Sequence, residues 1–270
     1  MMANEEMLYE GIITNDTTRS PEDERDWNSE SIYDESFSLP STFDLRPQLN
    51  RIRNQGTQGT CAAQTAACMK EWQEKKDVNF DDYMSPQFIY NNRVNQDKSG
   101  MYGRDVMRIL SNIGSCSESL YPYNTIESKG DIDEKYYSEA SNYKIRSYAR
   151  VNTIDSLKRA LYVNGPCYIS FPVYNHGSRM WKQKKGQQRI GGHAMTVVGY
   201  NKDGFIIRNT WGIVWGKLGY CTYPYSDWGC HQEIWTTVDD ESFKKPINEP
   251  TFFQSLWREC VRFFESMFSK

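Results

Sequence analysis

The apolar residues of this chain change period near Tyr143, and that change limits the fold more than any other feature. Before it they recur at helical spacing. Ala62, Ala63, Ala66, Met69 and Trp72 follow Cys61, a second helix is expected from Ser85 through SPQFIYNNRV, and a third over DVMRILSNIG, ending at Gly114. After it come short apolar runs separated by Gly and Asn/Asp turns: PCYISFPVY, GGHAMTVVGY, GFIIRNT and GYCTYPY. These read as strands. The expected class is α+β, with a mainly helical lobe over about 55–140 and a mainly β lobe over about 141–242. The chain carries no internal repeat, Walker loop, G-x-G-x-x-G or H-E-x-x-H.

Its 270 residues are enough for one large domain or two lobes sharing an interface. No run approaches ~18 consecutive apolar residues, which excludes a membrane-spanning helix. The opening MMANEEMLYEGIITND is acidic and lacks the basic start and apolar run of a secretory signal. Seven cysteines, at 61, 68, 116, 167, 221, 230 and 260, are odd in number and widely spaced. A disulfide framework is not expected, and a reducing compartment is. Cys221, Cys230 and His231 are close in sequence but include no C-x-x-C pair, so neither zinc nor any other cofactor is expected.

The net charge of −3 conceals an asymmetry. Residues 1–39 hold eleven acidic and two basic residues, net −9, leaving 30 basic and 24 acidic residues in the remainder, net +6. The leader also carries Leu8, Tyr9, Ile12, Ile13, Trp27, Tyr33 and Phe37. Two readings stand open: a solvated acidic tail, or a segment lying along a basic groove of its own body. In the second, Trp27, Tyr33 and Phe37 are expected to anchor it, because charge acts over only ~10 Å at about 0.1 M salt. Removal by proteolysis or weakening by salt is then expected to release it.

The Gly-rich run NQGTQGT ends at Cys61, placing that cysteine at a helix N-terminus, where the half-dipole and free N–H groups favour the nucleophilic thiolate. Cys68, seven residues on, is expected to pack in the core. Of three histidines, His193 stands out. It follows Gly191-Gly192 at the head of an apolar strand, while Asn209 sits in FIIRNTWGIVWGKLGY, after a second strand. The separations Cys61 to His193 (132) and Cys61 to Asn209 (148) suit a Cys/His/Asn site.

These motifs resemble the papain (C1) family of cysteine peptidases, cathepsin-like and of the non-secreted or giant-DNA-virus type, over roughly residues 40–240. LPSTFDLR, MSPQF, ESLYPYN and NGPCYISFPVY add to the likeness. The resemblance implies a papain-like two-lobe fold with the site in the cleft between a helical lobe and a β-barrel-like lobe. It implies Cys61 as nucleophile, His193 as its base, Asn209 as the residue orienting the imidazole, and Gln55 as a donor to the oxyanion. Ser99, Gly100, Met101, Gly191, Gly192 and Trp211 are the implied substrate-binding residues, with Trp211 shielding the His–Asn contact. The substrate implied is a peptide or protein, and no nucleic-acid partner is expected. The implied location is the cytoplasm or the virion of a large DNA virus. Residues 1–39 take the place of an inhibitory pro-segment but are shorter than the helical pro-domain of cathepsins.

Two departures from the family pattern matter. Gln58 replaces the first cysteine of Cys-Gly-Ser-Cys-Trp, removing its disulfide, and Ala62 replaces the Trp after the nucleophile. Two other function classes stay open on the residues: another thiol acyl-transfer enzyme such as a deubiquitinase, and a papain-fold binding protein with little turnover. WKQKKGQQR, residues 181–189, reads as a solvated loop or a basic rim to the cleft. From 243 to 270 the chain extends past the family's usual end. Within this part Phe252, Phe253, Leu256, Trp257, Cys260, Val261, Phe263, Phe264, Met267 and Phe268 recur at three and four, an amphipathic helix expected on its own body, a partner protein or a membrane surface.

Overall fold

The computed structural model describes residues 17–33 and 38–238. The boundary expected near 242, the segment to 270, and Phe37 lie outside the described residues.

Helix α1 spans Cys61–Val78 and is buried on every side as far as Glu74. That burial explains why its sequence shows no single apolar stripe. Ala62, Ala63, Ala66 and Ala67 let neighbouring elements approach, and the buried polar side chains have partners. Lys70 pairs with Glu74 at 2.5 Å and donates to the Lys144 carbonyl at 3.1 Å. Glu71 pairs with Arg53 at 2.9 Å. The helix stops at Asn79, whose φ of 55° is left-handed. Around α1 pack α2, Pro86–Asn91, capped by a 3.0 Å bond from the Phe88 N–H to Ser85 Oγ, and α3, Gly103–Asn112. Met69, Ile89, Val106 and Leu110 share one core cluster there. A further helix, α4, covers Glu134–Ala140.

The second half is an antiparallel sheet built from β2 (Ser147–Arg150), β3 (Cys167–Val173), β4 (Gly191–Tyr200), β5 (Gly204–Arg208), β6 (Tyr220–Pro224) and β7 (Glu233–Val238). Its order is β2-β7-β3-β4-β5-β6, and the short β1 (Phe43–Asp44) pairs with β4. The four strands expected from sequence are β3 to β6. The short elements β1, β2 and α4 were not expected, nor were two longer ones: α5, Ile154–Asn164, and β7, which is buried along its whole length. Helices and one large antiparallel sheet make this an α+β fold.

Two features of this arrangement set up the site. Helix α1 begins at Cys61, which joins Tyr168, Ala194 and Trp235 of the sheet in one cluster. Strand β5 ends at Arg208, paired with Thr196 of β4, so Asn209 leaves the sheet beside the strand that carries His193.

Candidate active site

Thr60 precedes α1 but its side chain does not cap the helix. Its hydroxyl lies 2.7 Å from the Tyr123 hydroxyl, which itself donates to the Gln55 carbonyl at 2.7 Å. With its natural cap turned to Tyr123 and no acidic side chain in its first turn, the helix directs the positive end of its dipole at Cys61. Tyr123 fixes both ends of the Gln55–Thr60 turn. No pattern in the sequence marked it for this role.

His193 and Asn209 are fully buried, and His193 Nε2 lies 2.6 Å from Asn209 Oδ1. The Thr210 N–H also donates to Oδ1, at 2.7 Å, which identifies that atom as the amide oxygen. Nε2 therefore carries the proton in the neutral ring, and Nδ1 is left as the basic nitrogen. The buried Trp211 ring stands 4.4 Å from the imidazole, tilted by 32°, and closes the His–Asn bond off from water. Burial pushes the imidazole pKa down to about 4, against the opposing effect of the Asn209 hydrogen bond. In this state the ring is neutral at pH 7.

Gln55 is held from three directions. Its N–H donates to the Thr210 carbonyl at 2.8 Å, its Oε1 accepts from Thr210 Oγ1 at 2.6 Å, and its Nε2 donates to the Gln58 carbonyl at 2.9 Å. Met101 and Gly100 are buried while Ser99 is exposed; Gly192 is buried and Gly191 half-buried. In the 181–189 run Trp181 is buried on Phe171 and donates to Asp227, and Lys182 pairs with the same carboxylate at 3.0 Å. His231 packs between Tyr223 and Trp228, its Nδ1 2.9 Å from the Tyr223 hydroxyl. Among the described residues six cysteines are free, and no group of three or more His, Cys, Asp or Glu is placed to hold a metal ion. Cys68 is buried on α1, which raises its thiol pKa.

The leader lies on this site. Thr17 Oγ1 is 3.2 Å from Cys61 Sγ, and the Thr17 carbonyl is so close to Gly192 that a Cβ there would sit 1.7 Å from it. Ser20 donates from N–H and Oγ to Glu233, at 3.1 and 3.0 Å. Asp26 is gripped by Arg104 and Arg150, Trp27 accepts from the Arg150 N–H at 2.7 Å, and Asn28 bridges to β2 in parallel. Glu30 accepts from the Asn152 N–H and from Ser156 Oγ at the start of α5, while Tyr33 is buried and accepts from Asn164. The anchors differ from those expected. Tyr33 is one, but the Trp27 ring is 64% exposed and contributes no anchor, whereas the neighbouring Asp26 turns its side chain inward, 7% exposed. The chain turns so that position 26 faces the body, because two guanidiniums there repay desolvation of a carboxylate.

The sequence pattern described as papain family cysteine protease matches residues 39–235. The chain belongs to the papain family of cysteine proteases. A peptidase C1-like protein of Acanthamoeba polyphaga mimivirus is 32% identical over 220 residues, covering 72% of this chain and 70% of the relative. Among solved structures, xylellain, a cysteine protease from Xylella fastidiosa, is 28% identical with a TM-score of 0.72, covering 84% of this chain and 96% of that one. Digestive procathepsin L 3 of Tenebrio molitor, at 19% identity and a TM-score of 0.63, shares the fold. The chain is thus a cysteine-type peptidase of the papain family.

Proposed function

We propose that this papain-family protease cuts peptide bonds through Cys61, His193 and Asn209, and that residues 17–33 restrain it by lying over the nucleophile. The observation that carries the reading is the buried His193–Asn209 hydrogen bond, which leaves Nδ1 as the basic ring nitrogen, on the strand whose Ala194 shares a core cluster with Cys61 at the start of α1. In an uncovered site, His193 Nδ1 takes the thiol proton, and the thiolate and imidazolium stabilise one another. Sγ attacks the peptide carbonyl, and the oxyanion is held by the Cys61 N–H and the Gln55 amide. The imidazolium protonates the leaving amine, leaving a thioester on Cys61. The ring then takes a proton from water, whose attack releases the acid. Asn209 keeps the ring in the orientation and tautomer both steps need.

Restraint by the leader is supported by the Thr17 contact, since a side-chain hydroxyl rather than a peptide carbonyl meets the sulfur. It is supported also by the neutral, desolvated imidazole beneath it. The free cysteines of the described residues favour a reducing setting, cytoplasm or virion. Labelling the full chain with a peptidyl epoxide tests the assignment of the nucleophile. Cys61→Ala should lose both labelling and hydrolysis while keeping its circular dichroism spectrum, and Cys68→Ala should keep both. Equal loss in the two variants would remove Cys61 from the mechanism.

A further inference from the structure

Asp26 belongs to the leader, but the groups that hold it belong to the body. Arg104, on the first turn of α3, donates from Nε to Oδ1 at 2.8 Å and from a terminal nitrogen to Oδ2. Arg150, at the end of β2, donates from Nε to Oδ2 at 2.8 Å. The side chains are 7% and 13% exposed, and their guanidinium carbons stand 5.8 and 4.4 Å from the ring of the buried Trp235. Arg150 pairs with Trp235 in strand register, so the fold fixes its place on the indole, while the Arg104 guanidinium rises from α3 and donates to the leader at Asp26 and at the Pro21 carbonyl.

The balance of charge decides what such a place accepts. Arg104 and Arg150 face it from the body, against Glu233, while Arg108 pairs with Asp105 and with Asp23 of the leader. With the leader lifted away, two basic groups meet one acidic one. Glu233 does not make the place attractive to a cation. Its Oε1 accepts from the Gly103 N–H at 3.1 Å and its Oε2 lies 3.5 Å from Arg150, so body groups already answer its charge. Two guanidiniums left over one indole without their bidentate partner are costly, and a carboxylate relieves that cost.

We propose that Arg104 and Arg150 form a carboxylate-binding subsite of the protease, filled by Asp26 in the covered protein and by an acidic side chain of the peptide substrate in the uncovered one. This rests on the reading that the leader covers a working cleft. Ser20, whose Oγ accepts from the Arg104 N–H at 3.0 Å, is three residues from Thr17 at the nucleophile. An extended chain covers about 10 Å in that span, which places the acidic residue within about four residues of the cut bond.

The test uses the full chain with Asp26→Ala, which removes the occupant and leaves both arginines. Quenched fluorescent peptides carry Asp or Asn at each of four positions on either side of the cut bond. At one position Asp should raise kcat/KM about tenfold over Asn, through KM, as expected for a charge-assisted contact. Adding Arg150→Met, or separately Arg104→Met, should erase the preference while the variants keep their melting transition. Equal rates for Asp and Asn at every position, or a preference that survives both arginine variants, overturns the subsite. If Asp26→Ala is no more active than the parent chain on Asn peptides, restraint by the leader fails instead. Binding then decides the subsite: a labelled synthetic peptide of residues 17–33 should bind the Asp26→Ala chain about tenfold more tightly than its Asp26→Asn twin. Equal affinity, or none, overturns it.

Discussion

Gln55 shows how a single side chain is committed before any substrate arrives. Its amide oxygen is taken by Thr210 Oγ1 at 2.6 Å, so the –NH2 end is forced toward the loop leading to Cys61. Gln55→Ala should lower kcat about a hundred- to a thousandfold with little change in KM, since an oxyanion donor works only in the transition state. A change confined to KM would give Gln55 a binding role. Thiol chemistry is argued at the same scale. Burial raises the Cys68, Cys116, Cys167 and Cys221 thiols, and Gln58 occupies the place of the family's first cysteine. Mass-based counting under denaturing, non-reducing conditions should find most of the seven thiols free, and three bridges would contradict a reducing setting. The place of Cys61 at the start of α1, and of His193 and Asn209 near the ends of β4 and β5, was legible in the sequence because local pattern is strong where regular elements begin and end. Tyr123, Thr210 and Thr17 were not, because their roles depend on contacts across 68, 155 and 44 residues.

Among the elements, β4 matches its sequence run, Gly191–Tyr200, because both faces are buried and its apolar residues are continuous. Strand β7 escaped notice because it opens on Glu233, a residue that in isolation marks a surface. Only Gly103, Arg150 and Ser20 make its burial tolerable. Helix α5 was missed for a related reason: its capping box uses Ser156 where Glu or Gln is the usual signal, and its apolar stripe is short. Thr153→Ala should cost about 1 kcal/mol of stability in chemical denaturation, as the loss of a helix cap does. Gly192 carries a sharper expectation. A Cβ there meets the Thr17 carbonyl at 1.7 Å and, on the body, nothing nearer than the end of Arg189 at 3.4 Å. Gly192→Ala should speed proteolytic nicking within residues 17–33 while leaving the unfolding midpoint of the body within a few degrees. Unchanged nicking would mean that the leader does not pass over this glycine.

For the molecule as a whole, the charge asymmetry in the sequence left open a solvated tail or a leader lying on its own body, and did not show what would fasten it. Scattered aromatics suggested apolar anchors, yet an isolated apolar residue has no preferred partner until the surface is built. The acidic residues found theirs. Burial works to raise the carboxyls of Asp26 and Glu30, and hydrogen bonds outweigh it, from Arg104 and Arg150 to Asp26 and from Ser156 and the Asn152 backbone to Glu30. Both pKa values are held below their ordinary 3.8 and 4.5. Docking strength from such groups is fully present above those ordinary values and is lost as pH falls through the depressed ones. His193 acts in the same direction and earlier. Its covered ring titrates at about 4, so between its ordinary 6.5 and 4 any restored hydration lets the uncovered state bind a proton that the covered state does not. Salt should act more weakly, because the Asp26 cluster is buried and screening reaches it poorly. In the Cys61→Ala chain, which cannot cut itself, amide exchange across residues 17–33 should therefore quicken between pH 6.5 and 4, and further below 4, more than it does on raising NaCl from about 0.1 to 0.5 M at pH 7. Opening by salt with none by acid would show that surface charge rather than these buried contacts holds the leader down.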